Sequence, residues 1–175
     1  MRKIILNLAV SLDGFIEGPH GDYGWCFTDQ DYGMSEFLKR VDTIFLGRKS
    51  YDVLAQDPGP FSAMPWYVFS TTMTSALPNS TIVSDNLEPE VQRIRRLPGK
   101  DIWLFGGAGL TTAFINLDLV DELQLAVHPL LLGAGKPLFQ NLSHAIPWTL
   151  TNTLSYSSGL VQLFYARRGM TISAG

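Results

Sequence analysis

Three short segments of this chain combine residue types that hold phosphate. The first is Gly106-Gly107-Ala108-Gly109-Leu110, which follows the apolar run Asp101–Phe105 (Asp-Ile-Trp-Leu-Phe) and leads into Thr111-Thr112. It reads as a buried strand, a glycine-rich turn and a helix start. Free N–H groups and the positive dipole end of a helix attract an anion, and glycines let a phosphate approach the backbone. The segment lacks the third glycine of the usual dinucleotide fingerprint, and a tight strand-to-helix turn without a ligand has the same appearance.

The second segment is Gly47-Arg48-Lys49-Ser50-Tyr51, where glycine, two cations and a hydroxyl follow another apolar run. Such a set suits a phosphate, although an ordinary solvated charge pair is also consistent with it. The third is Ser70-Thr71-Thr72, hydroxyls that can hold a sugar phosphate or simply close a turn. Each segment lies at the C-terminal end of an expected strand, where open α/β sheets bind their ligands. Two separate helix starts suit a ligand with two phosphate-bearing ends, such as a dinucleotide.

Other motifs do not support a chemistry of their own. Gly133-Ala134-Gly135-Lys136-Pro137 imitates a P-loop but has no Ser or Thr, and its proline blocks a helix. His20, His128 and His144 are widely spaced and Cys26 is the single cysteine, so no metal site is expected. No Gly-x-Ser-x-Gly elbow marks a hydrolase nucleophile. Trp66, Trp103 and Phe105 lie in apolar runs and read as core.

The elements that must position these segments are short apolar runs: Lys3–Val10, Thr43–Leu46, Trp66–Ser70, Thr81–Ser84 and Asp101–Phe105. Most are apolar throughout, as in strands of a parallel sheet covered by helices on both faces. Helices are expected at Asp31–Arg40, just after Gly47, at Pro89–Leu97 and at Leu110–Leu117. Beyond Leu119 the pattern changes to strand-like Glu122–His128, Trp148–Tyr156 and Leu160–Arg167, the last two joined by Ser157-Ser158-Gly159, a hairpin signal. The expectation is an α/β domain with a mostly parallel sheet and an antiparallel C-terminal hairpin, spanning residues 1–169. Residues 170–175 read as a frayed tail.

Composition narrows the class further. With 46% hydrophobic and 17% charged residues, a chain of 175 residues can build one core without disulfides. Thirteen Lys+Arg against 16 Asp+Glu, net charge -3, argue against nucleic-acid or membrane-surface binding. Ile4–Val10 reads as a buried strand rather than a signal peptide, because Asn7 interrupts it and Asp13-Gly14 follows. The lone cysteine fits a reducing, cytoplasmic setting. The apolar stretch Leu123–Leu132 suggests an extended edge that a homodimer would cover.

Ala9-Val10-Ser11-Leu12-Asp13-Gly14, Gly47-Arg48-Lys49-Ser50-Tyr51 and Phe105-Gly106-Gly107-Ala108-Gly109-Leu110, in this order, resemble the dihydrofolate-reductase-like fold. More narrowly they resemble the C-terminal reductase domain of the bifunctional riboflavin-biosynthesis deaminase–reductase, over roughly Arg2 to Arg168. The family's deaminase half, with its zinc-binding His and Cys residues, has no counterpart in these residues. The resemblance implies a three-layer fold and NADPH-dependent hydride transfer, with 5-amino-6-(5-phosphoribosylamino)uracil reductase as the model activity. It implies that Gly106, Gly107, Ala108, Gly109 and Leu110 hold the cofactor pyrophosphate and that Gly47, Arg48, Lys49 and Ser50 hold phosphates. Ser70, Thr71 and Thr72 would reach the 2′-phosphate, and Ala9 and Val10 would lie under the nicotinamide. Ser11–Trp25 would be a mobile loop, Trp25 a residue near cofactor and substrate. Asp31 falls where dihydrofolate reductases place an acid, with Asp29 close by; a helix cap is the plainer role for it.

The pattern departs from the family at the substrate end. No Lys or Arg occurs between Lys49 and Arg93, where the family places arginines for anionic substrate groups, and none lies between Trp25 and Lys39. An uncharged planar substrate facing Trp25, Phe27, Phe61 and Trp66 is therefore expected. Dihydrofolate-reductase-like activity and a non-catalytic nucleotide-binding module remain the alternatives.

Overall fold

A computed structural model describes residues 1–168; the expected frayed tail at 170–175 lies outside the described residues, as does the final residue, 169, of the expected domain. In chain order the elements are β1 (Ile4–Ser11), β2 (Phe15–Glu17), α1 (Met34–Arg40), β3 (Val41–Gly47), α2 (Arg48–Leu54), β4 (Trp66–Phe69), β5 (Ser80–Val83) and α3 (Leu87–Arg95). They continue with β6 (Asp101–Gly106), α4 (Ala108–Asn116), β7 (Glu122–His128), β8 (Lys136–Pro137), β9 (Trp148–Ser155) and β10 (Val161–Arg167). Eight strands form one sheet in the order β5-β4-β3-β6-β1-β7-β10-β9. Pairings from β5 to β7 are parallel, and β10 runs antiparallel to both β7 and β9.

Strand alternation sorts the apolar residues onto two faces. Ile5, Ile44, Leu46, Trp66, Val68 and Trp103 pack with Phe37 of α1 and with Tyr51 and Leu54 of α2. Ile4, Leu6, Phe45, Ile102 and Leu104 pack with Val91 and Ile94 of α3 and with Phe114 and Ile115 of α4. Helices on both faces of a mostly parallel sheet explain why these runs are apolar throughout. At the sheet's base Arg95 donates to Asp121 (2.7 Å), which also accepts the Ile4 N–H (2.7 Å), joining α3 to β1.

Three expectations need correction. Helix α1 starts at Met34 rather than Asp31, because Tyr32 (φ 46°) and Gly33 (φ 75°) turn left-handed just ahead of it. The Ser11–Trp25 segment is tied down in its first half. Its β2 pairs with β8, and the Asp13 carboxylate accepts N–H bonds from Leu132 (3.1 Å) and Gly133 (2.7 Å). The P-loop look-alike thus serves as the loop's anchor: a Cβ on Gly135 would stand 2.1 Å from the Glu17 carbonyl oxygen. Finally, the strand part of the expected edge at Leu123–Leu132 is interior sheet, because β7 lies between β1 and β10. The outer strand on this side of the sheet is β9, where Leu150 and Leu154 are exposed.

Candidate active site

The chain leaves β3 toward β4 and leaves β6 toward β7, in opposite directions across the sheet. Right-handed crossovers then place α2 and α4 on opposite faces, which opens a crevice at the C-terminal ends of β3 and β6. A cleft of about 1960 Å³ occupies this place and continues over one face of β1, β7 and β10. Small-molecule sites usually enclose roughly 300–1,000 Å³, so there is room for two ligands side by side.

All three phosphate-type segments converge on this cleft. Backbones of β3 and β6 touch at their ends, since a Cβ on Gly47 would lie 3.5 Å from the Gly106 carbonyl oxygen. Gly106 (φ 114°) and Gly107 (φ 89°) take backbone conformations that L side chains rarely adopt. A Cβ on Gly107 would stand 3.2 Å from Ser50 Oγ, whereas one on Gly109 would meet no atom within 4 Å. Gly109 thus leaves open space at the first turn of α4, where N–H groups lack helical partners. Arg48 Nη1 donates to Thr72 Oγ1 (2.9 Å), which ties the second segment to the third. Ser70 Oγ accepts from the N–H groups of Thr72 (3.3 Å) and Met73 (3.2 Å) and shapes that turn.

Gly47, Arg48, Lys49, Ser50, Ser70, Thr71, Thr72, Gly107, Ala108, Gly109, Leu110, Ala9 and Asp31 all line the cleft. Val10 does not; it points to the opposite face and packs in the core with Ile4 and Leu6. Gly106 does not line the cleft; a Cβ there would lie 3.6 Å from Leu8 Cδ2. Trp25 stands outside the lining, its ring packed edge-on against His128 with centroids 5.2 Å apart. Trp66 is core, only 2% exposed. Phe27 and Phe61 do face the cleft, as do Trp103 and Phe105, which had read only as core.

Asp31 is engaged as a cap. Its carboxylate accepts from the Ser35 hydroxyl (2.7 Å) and backbone N–H (3.0 Å), and these bonds hold its pKa below the usual carboxylate value. Arg40, a cation lining the cleft, already pairs with Glu122 (2.9 Å) and Asp101 (3.2 Å). Cys26 also lines it, and burial pushes its thiol up to about 11, so it is protonated at neutral pH. Among the described residues no group of three or more His, Cys, Asp or Glu is arranged to hold a metal.

The residues that sequence reasoning missed come from the far half of the sheet and from the segment between β5 and α3. Asn7, Gln124, His128 and Gln162 line the cleft, and Ser84, Asp85 and Asn86 approach it at the end of β5. A signal for the first group was present. In β7, Glu122, Gln124, Ala126 and His128 alternate with Leu123, Leu125 and Val127, the pattern of a strand with one polar face. No such pattern marks Ser84–Asn86, which read only as the end of a strand.

Known proteins match this arrangement along its whole length. The Bacillus subtilis (strain 168) protein YyaP is 46% identical, the alignment covering 96% of each chain. YwjB of the same organism is 34% identical, covering 95% of this chain and 98% of its own. A Shewanella sp. PV-4 structure named as a riboflavin biosynthesis protein superposes with a TM-score of 0.84 at 28% identity, over 96% of this chain and 99% of that one. Enterococcus faecalis dihydrofolate reductase, solved with NADP(H), superposes with a TM-score of 0.72 at 14% identity, over 95% and 96% of the two chains. The fold is therefore dihydrofolate-reductase-like, with a mostly parallel sheet as expected. A family model described as the RibD C-terminal domain matches residues 2–162, and with it the chain belongs to the RibD C-terminal domain family.

Proposed function

We propose that this protein is a reductase that uses NADPH and transfers hydride to a small, uncharged planar heterocycle or a related carbonyl or imine. Its carrying observation is the convergence of Gly107–Leu110, Gly47–Ser50 and Ser70–Thr72 on one cleft at the switch point of the sheet. Family membership supports the reading, as does the NADP(H) bound by the dihydrofolate reductase of the same fold. The open space beside Gly109 fits a group that must reach the backbone. Gly107 to Leu110 would hold the pyrophosphate at the start of α4, while Lys49, Ser50 and Arg48 would pair with phosphate oxygens. Arg48, already aimed at Thr72, favours a cofactor with the additional 2′-phosphate.

NADPH, when bound, supplies the hydride; the protein's share is to orient both partners and exclude water. Ala9 gives the sheet a flat, small-residue surface beside which a ring can lie, with Phe27, Phe61, Trp103 and Phe105 as apolar walls. Among the described residues, the cations lining the cleft's substrate end are already paired, Arg40 with Glu122 and Asp101 and Lys136 with Glu17 (3.5 Å). That favours an uncharged substrate over the phosphorylated aminouracil of riboflavin biosynthesis or a glutamate-bearing folate, because an unpaired anion would be costly to desolvate. A module that binds the nucleotide without turnover is the second reading, favoured by Asp31 being committed to Ser35 instead of free to donate a proton.

Thermal melting with each nucleotide tests the proposal. NADPH at one hundred times its Kd should add about 2.7 kcal/mol of stability. Arg48→Ala should weaken NADPH about 10- to 100-fold, from a lost charge-assisted bond worth roughly 1.5–3 kcal/mol, and NADH much less. No shift with millimolar NADPH would refute the reading. NADPH oxidation with quinones, pterins or aminopyrimidines, its KM for NADPH raised in Arg48→Ala, would eliminate the non-catalytic module.

A further inference from the structure

Beyond the cofactor end, the cleft runs over one face of β1, β7 and β10. Its floor is a small grid set by strand register. Ala9 on β1 lies opposite Ala126 on β7, which lies opposite Gln162 on β10. Two residues down each strand, Asn7 lies opposite Gln124, which lies opposite Phe164. All six line the cleft. Two alanines side by side make a flat patch of methyl groups. The next row starts about 6.6 Å along the strands, near the width of one substituted six-membered ring.

The polar groups of this grid differ in what they have left to offer. Gln162 is committed: its amino group donates to the Tyr32 carbonyl oxygen (2.6 Å) and its carbonyl accepts from the Tyr156 hydroxyl (3.2 Å). Asn7 and Gln124 satisfy each other only once, Asn7 Nδ2 donating to Gln124 Oε1 (3.3 Å). Among the described residues, Asn7 Oδ1 and Gln124 Nε2 have no partner. Both residues line the cleft, so two neighbouring side chains offer it one uncharged acceptor and one uncharged donor. Two neighbouring amides among Ala9, Ala126, Phe164 and Trp103 are not what packing alone would select, since apolar side chains fit a sheet face there at lower desolvation cost.

We infer that the Asn7–Gln124 pair is the element that reads the substrate, and that it takes the N–H/C=O edge of a cyclic amide. This inference rests on the reductase reading above and assigns its specificity. A ring lying flat on Ala9 and Ala126 brings one edge to the amide row. A cis-amide edge offers a donor and an acceptor side by side, complementary to Asn7 Oδ1 and Gln124 Nε2. A carboxylate or phosphate offers only acceptors and would leave Asn7 Oδ1 unpaired and repelled. Such a site rejects an isostere that lacks the hydrogen-bonding edge more strongly than one that differs only in apolar bulk.

The test uses the full chain with NADP⁺ present and follows binding of lumazine, a pteridine-2,4-dione, by fluorescence titration. The control ligand is 1,3-dimethyllumazine, in which methyl groups block the N–H edges. Lumazine should bind at least 10-fold more tightly than the dimethyl compound. Gln124→Glu, which replaces the donor by an oxygen, should erase that preference, and so should Gln124→Met. The NADP⁺-induced melting shift should persist in both variants, showing that they fold and still hold the cofactor. Equal binding of the two lumazines, or none of either, with the NADP⁺ shift intact would overturn the inference and leave the reductase reading standing. A loss of NADP⁺ binding in Gln124→Glu with lumazine selectivity retained would also overturn it, placing the pair on the cofactor's own carboxamide. If NADP(H) fails to stabilise the unmodified protein, the reading beneath it falls first and this one with it.

Discussion

The backbone N–H of Phe27 donates to Nε2 of His128 at 3.0 Å, while His128 Nδ1 lies 2.9 Å from the Ala126 carbonyl oxygen. A ring that accepts at Nε2 must carry its proton at Nδ1, so the imidazole is neutral with both nitrogens satisfied. Trp25 and Phe27 pack edge-on against it, with centroids 5.2 and 5.0 Å away. His128 is only 2% exposed, and burial holds its pKa below the ordinary 6.5. This one side chain pins the end of the loop that follows β2 onto β7. Trp25 thereby helps to build the cleft wall without reaching the cleft.

Because the folded pKa is lowered, the unfolded chain takes up a proton first as pH falls through 6.5. Stability contributed by neutral His128 is therefore complete above about pH 6.5, and it declines below that value toward the lower folded pKa. Protonation also turns Nε2 into a donor and breaks the bond to Phe27. Urea melts of wild type and His128→Asn between pH 7.5 and 5 check this. The difference in stability between them should be largest near pH 7 and shrink on acidification; a constant difference would contradict the neutral latch.

Two glycines of the α4 turn should respond in opposite ways. Gly107→Ala places a side chain at φ 89° and 3.2 Å from Ser50 Oγ, so the protein should lose roughly 1–3 kcal/mol of stability. Gly109→Ala meets nothing within 4 Å and lies in the helix, so stability should hold or rise by up to about 1 kcal/mol. Its methyl group would occupy the open space assigned to the pyrophosphate, and NADPH affinity should fall about 10-fold, an effect near 1.4 kcal/mol. Melting scans with and without NADPH separate the two effects.

Asp31 offers a check on the proton route. As a cap for Ser35 with a lowered pKa, it is a carboxylate at neutral pH. Asp31→Asn keeps capping ability and should melt like wild type, whereas Asp31→Ala should melt slightly lower. The pH profile of NADPH oxidation should be the same in wild type and Asp31→Asn. An acidic limb that disappears in Asp31→Asn would instead make Asp31 the proton donor.

Much of this molecule was readable because its signals are local. The runs at Trp66–Phe69, Asp101–Gly106 and Glu122–His128 advertise strands through their own residues, and the glycines at 106, 107 and 109 mark a turn that they themselves form. Boundaries shifted where a distant contact decided them. The start of α1 moved because Tyr32 is held left-handed, its carbonyl taken by Gln162 from β10. The Ser11–Trp25 segment, rich in glycine, suggested free movement; pairing with β8 and the grip of Asp13 on Leu132 and Gly133 tied its first half.

From composition and local pattern alone came the α/β class, the phosphate-type segments at strand ends and the stretch without Lys or Arg between Lys49 and Arg93. Each of these depends on neighbours in the chain, or on residue types that are simply missing. Tertiary structure decided which segments share a cleft, since crossovers in opposite directions bring Gly47 against Gly106 across 59 positions of sequence. It alone decided the substrate end as well. Asn7 and Gln124 stand 117 residues apart; the alternation of β7 marks Gln124 as part of a polar strand face, but only parallel pairing of β1 with β7 sets Asn7 beside it.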